Sequence, residues 1–135
     1  MKKNTKGFTL IELLAVIVIL AIIALIATPI VLNLINKARE GASKDTAFGV
    51  KKAAELYYAE SLITNTGAFT AVDFTCNKTT CTATGRDPLN IDGTVPDGTV
   101  SINAAGEVTF TKLNVNGYCW TYSKASGMNK ENCAS

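Results

Sequence analysis

Glu12 is the residue of this chain that most needs a partner. It stands near the start of an apolar run, and the twenty residues after it, 13–32, carry no charge. A stretch of that length lets a helix cross a hydrocarbon core. A carboxylate in the first turn of such a helix costs roughly 2.5–3.5 kcal/mol even on a lenient insertion scale. A cation beside it offsets much of that cost. The second set of reactive side chains is sulfur: Cys76, Cys81, Cys119 and Cys133. Four cysteines allow three pairings, and an exported segment would hold them as disulfides. We prefer Cys76–Cys81 closing a tight loop and Cys119–Cys133 clamping the C-terminal tail. Metal binding competes for the same thiols, but C-x4-C and C-x13-C match no zinc knuckle, and the chain has no histidine.

The missing histidine also removes the commonest general base. There is no G-x-S-x-G, no phosphate-binding glycine loop and no paired-acid motif in a recognisable setting. Asp87, Asp92 and Asp97 lie among prolines and glycines, where Asp serves turns, and their spacing is not that of an EF-hand. Asn77-Lys78-Thr79 spells a glycosylation sequon, a triplet that chance supplies often. These residues point away from an enzyme and imply no cofactor and no metal. From residue 33 onward ten basic side chains face ten acidic ones, a balance without the footprint of a nucleic-acid site.

Around Glu12 the order of residues is specific. A basic leader with Lys2, Lys3 and Lys6 ends at Gly7, the aromatic Phe8 comes next, and G-F-T-L-I-E opens the apolar run. This resembles the class III prepilin signal of type IV pilins and type II secretion pseudopilins over roughly residues 1–40. The resemblance implies cleavage between Gly7 and Phe8 by a prepilin peptidase and N-methylation of Phe8. It makes Glu12 the family's buried acid, the fifth residue of the mature chain, whose partner is the amine freed by the cut. Pro29 matches a proline that many members carry in the same helix. Phe8, Glu12 and Pro29 are the expected assembly residues.

Three other readings of the N-terminus explain less. A secretory signal has a shorter apolar stretch and a small-x-small cut site, and Glu12 fits it badly. A lipoprotein signal needs an early cysteine, and the first is Cys76. A plain membrane anchor fits length and flanks but leaves Gly7, Phe8 and Glu12 unexplained. The leader lysines keep the N-terminus cytoplasmic and put everything beyond Leu32 outside.

The apolar run passes unbroken into a second helical segment. From Ile35 a small-residue stripe recurs at Ala38, Ala42, Thr46, Gly49, Ala53, Leu56, Ala59 and Ile63, with the three-and-four spacing of one helix face. We read it as the face that meets a sheet. Asn65 and Gly67 supply stop signals. The whole predicts one helix from Phe8 to about Thr64, about 57 residues or roughly 85 Å. A bend is expected near Leu25–Pro29, where proline removes a hydrogen bond. Beyond Gly67 the period falls to two. Residues 99–102 and 107–111 alternate around an Ala104-Ala105-Gly106 hairpin loop, 118–122 reads as a third strand, and 69–75 as an earlier one.

The fold class is therefore α+β: a long N-terminal helix, bent near Pro29, on a small antiparallel sheet of three to four strands, pilin-like. The organisation is a removed leader at 1–7, a transmembrane or filament-core helix at 8–33, an amphipathic helix at 34–65, and an extracellular disulfide-bearing head at 66–135. The resemblance implies a structural subunit held in the cytoplasmic membrane as a single-pass prepilin, N-terminus inside. It then enters an extracellular helical filament as a homo-oligomer with related minor pilins. Its other implied partners are the prepilin peptidase, an assembly platform protein and an ATPase system. A type II secretion or competence pseudopilin is the alternative within the class. A membrane-anchored binding module that never polymerises is the alternative outside it.

Overall fold

The computed structural model describes residues 7, 9–65 and 67–134. One helix, α1 (Leu10–Thr64), precedes six strands: β1 (Val72–Asn77), β2 (Cys81–Thr82), β3 (Asp97–Ile102), β4 (Val108–Val115), β5 (Tyr118–Ser123) and β6 (Gly127–Glu131). The class is α+β, and the six strands form one antiparallel sheet in the order β2-β1-β3-β4-β5-β6. The expected three to four strands are corrected to six. The two additions are the two-residue β2 and the polar β6, GMNKE, neither of which has an apolar alternation to announce it.

The chain divides into two compact units, residues 1–39 and Glu40–Ser135. In the first, α1 is apolar all round. Its large apolar side chains from Leu10 to Ile35 are exposed, with nothing among the described residues of this unit to cover them. Pro29 lies within α1, and Thr28, just ahead of it, donates its hydroxyl to the Ala24 carbonyl at 2.6 Å.

In the second unit α1 lies on the sheet through Ser43, Ala47, Val50 and Ala54. This corrects the expected stripe by one residue, about 100° around the helix. Ala42 and Gly49 are exposed, and Leu56 and Ile63 stand 56% and 84% exposed. Small residues occur on several faces of 38–54, so their spacing alone selects none. Ser43, being polar, hides the true face. It is buried because its Oγ donates to the Glu40 carbonyl at 2.8 Å and accepts the Trp120 indole N–H at 3.0 Å.

The sheet supplies the other half of the core. Val72, Phe74 and Cys76 alternate inward on β1, facing Val100 and Ile102 on β3. On β4 the inward residues Phe110 and Leu113 are three apart, because a bulge with Lys112 at φ 51° adds a residue between them. The long connector from β2 to β3 is pinned at its middle and at its far end: the Leu89 N–H donates to the Cys81 carbonyl, and the Pro96 carbonyl accepts the Lys78 N–H, each at 3.0 Å. Asn77 Oδ1 closes the turn between β1 and β2 by accepting the Thr79 and Thr80 amides at 3.1 and 2.9 Å. At Gly106, φ 87°, a Cβ would collide with the Tyr58 ring, so the β3–β4 turn sits directly on the helix.

Candidate processing and assembly site

Of the chemistry-bearing residues of the N-terminus, the structure describes Gly7, ahead of α1, and Glu12, in its first turn. The helix begins at Leu10 because Thr9 caps it. Thr9 Oγ1 accepts the Glu12 amide at 3.2 Å, and the Thr9 carbonyl accepts the Leu13 amide at 3.0 Å. Threonine at the cap with glutamate three residues on is the capping-box pattern. It places the Glu12 carboxylate in the first turn, where the free N–H groups of a helix favour negative charge. Gly7 lies outside the helix and is exposed. Phe8, expected to receive the methyl group, lies outside the described residues, as do Lys2, Lys3 and Lys6.

The apolar side chains beyond Glu12 determine the environment this end of the molecule requires. Every large apolar side chain from Leu10 to Leu34 is at least 47% exposed, and α1 is long and apolar enough to cross a membrane. A helix of this kind must be covered by lipid or by other chains. The model of the prokaryotic N-terminal methylation motif matches residues 2–28, which span Gly7, Phe8, Glu12 and most of the uncovered helix. The chain carries the class III signal peptide of type IV pilins. No curated protein and no solved structure matches it. The prepilin signal implies processing by a prepilin peptidase and pilin assembly, and together with the apolar helix it fits a membrane-anchored precursor.

The remaining expected site residues lie apart from this end. Pro29 is within α1, seventeen residues beyond Glu12. Cys76 is bonded to Cys81 across the β1–β2 turn, and Cys119 on β5 to Cys133 beyond β6. Among the described residues no three His, Cys, Asp or Glu side chains gather as a metal would require.

Three positions were not singled out from the sequence. Thr9 had a readable signal, the T-x-x-E spacing ahead of an apolar run. Ser43 had none, because its partner Trp120 lies 77 residues away. Lys51 had half of one. Its partner Glu55, at 3.2 Å, is the i+4 residue of the same helix, but the Tyr122 ring, 5.1 Å below the ammonium, comes from β5. The Glu55 carboxylate first, and Tyr122 second, hold the Lys51 ammonium above its usual pKa of 10.5.

Proposed function

We propose that this chain is a structural, non-catalytic subunit of a type IV pilus-like filament. It is made as a membrane-anchored prepilin, cut after Gly7, and polymerised through the N-terminal half of α1. The observation that carries the proposal is that the N-terminal methylation motif runs into the uncovered apolar helix and overlaps it over residues 10–28. Lipid covers such a helix before assembly, and copies of itself cover it afterwards. The β-sheet unit, closed by two disulfides, then faces the outside, where oxidised cysteines persist. In the filament the Glu12 carboxylate neutralises the N-terminal amine of a neighbouring subunit. Each charge is costly alone in an apolar surrounding, and the pair fixes the axial offset between copies.

The test is co-expression with a prepilin peptidase and the assembly machinery, and then shearing. A chain that begins at a methylated Phe8 and is recovered in sheared filaments supports the proposal. A chain that begins at Phe8 and stays with the membrane overturns polymerisation and leaves an anchored module. A chain that still begins at Met1 overturns the prepilin reading.

A further inference from the structure

The cap on α1 stands two residues from the bond that the prepilin reading cuts, and this inference rests on that reading. In an α-helix each N–H donates to the carbonyl four residues back. Extending α1 towards the leader would place the Glu12 N–H on the carbonyl of residue 8 and the Ile11 N–H on the carbonyl of Gly7. The Gly7 carbonyl is the one that water must attack. In the structure the Glu12 N–H is held by Thr9 Oγ1 at 3.2 Å, and Gly7 is outside the helix. The cap therefore takes the hydrogen bond by which the helix would propagate onto the scissile peptide.

The pressure to propagate comes from the open end of the helix and not from the residues it would add, since Thr9 and Gly7 are weaker helix formers than the leucines of α1. The first-turn N–H groups of a helix have no partner within it, and at the edge of a hydrocarbon layer, where water is scarce, they take whatever acceptor is nearest. A peptide inside a helix has its carbonyl engaged and its backbone coiled, so a peptidase must unwind it before hydrolysis. We propose that Thr9 is a positioning residue for cleavage: its hydroxyl ends α1 at Leu10 and keeps the Gly7 carbonyl of the scissile amide out of the helix. Hydrolysis then breaks that amide, leaving a carboxylate on Gly7 and an amine on Phe8. The Glu12 side chain plays no part in this step, since the cap uses only the Glu12 backbone.

The experiment tracks cleavage of the full-length chain in membrane vesicles by a prepilin peptidase, with KM and kcat measured separately. Thr9→Ala and Thr9→Val remove the acceptor, and Val keeps the shape. Both should raise KM, by up to about fivefold, the most that losing a typical N-cap allows, with kcat held, because only the competent fraction of substrate falls. Thr9→Ser and Thr9→Asn should restore the wild-type KM, since both cap well. In micelles of the uncleaved chain, Thr9→Ala should slow amide exchange at Ile11, and Thr9→Ser should not. Wild-type KM for the Ala and Val chains overturns the proposal. Rescue by Ser without rescue by Asn also overturns it, because the peptidase then reads the hydroxyl directly. A wild-type chain left uncut after Gly7 overturns the prepilin reading and this proposal with it.

Discussion

Ser43 and Trp120 are a residue-scale lock between helix and sheet. The indole N–H is buried and Ser43 Oγ is its acceptor at 3.0 Å. Ser43→Ala should cost about 1–3 kcal/mol in a urea melt, because a buried donor loses its partner. Adding Trp120→Phe removes the donor as well, so the double variant should lose less than the sum of the two singles. Lys51 has a different signature. Its folded pKa is raised, so its contribution to stability is fully present below about pH 10.5. That contribution is lost as pH rises through the higher folded value. The stability gap between wild type and Lys51→Met should therefore hold from pH 7 to 9 and close in alkaline melts above pH 10.5. Glu12 acts at the other end of the chain. Glu12→Ala should leave cleavage after Gly7 intact, because the cap uses its amide, and it should leave membrane insertion intact as well. Its yield in sheared filaments should fall sharply, since a neighbour's amine is then buried alone. Glu12→Gln should fail too, though less fully. Immunoblots of sheared and membrane fractions read both, and normal filament yield from Glu12→Ala would assign the acid another role.

At the scale of elements, the sheet depends on its bridges at both margins. β2 has two residues and pairs through Cys76↔Cys81, the same two residues that the disulfide joins. β6 is polar and stands at the sheet's other edge, paired with β5, and the Cys119–Cys133 bond ties the chain just past it back to β5. In the chain-entropy model, closing 14 residues contributes roughly 3 kcal/mol and closing five roughly 2 kcal/mol. Replacing Cys119 and Cys133 by Ser should therefore lower the melting temperature by on the order of 10 °C, and replacing Cys76 and Cys81 should lower it less. Calorimetry of the two double-serine chains against the wild type orders the two bridges. An equal or reversed order would mean that β6 holds without its clamp.

At the scale of the whole molecule, charge is redistributed by one cut. The full chain has 13 basic and 11 acidic residues and a sequence pI near 8.3. Removing residues 1–7 takes Lys2, Lys3 and Lys6 with it, so ten basic residues face eleven acidic ones. Isoelectric focusing of the exported chain should show it on the acid side of neutrality. A band that stays near 8.3 would mean that the leader is still attached.

The prepilin signal was readable along the chain because every part of it is local. Gly7, Phe8, Glu12 and the apolar run sit side by side in residues 2–28, and a peptidase or a membrane meets them in that order. The helix end at Thr64, beside Asn65 and Gly67, and the alternation of β3 and β4 were legible for the same reason. Contacts between distant residues decided the rest. Which side of α1 lies on the sheet depended on Trp120 finding Ser43, a pairing no helical period contains, and so the small-residue stripe through Ala42 and Gly49 was the wrong face. β6 became a strand because β5 offered it backbone partners and Cys133 held it there, though its own residues have no strand pattern. Short-range pattern records what a segment does alone, and only the closed core determines what a second segment does to it.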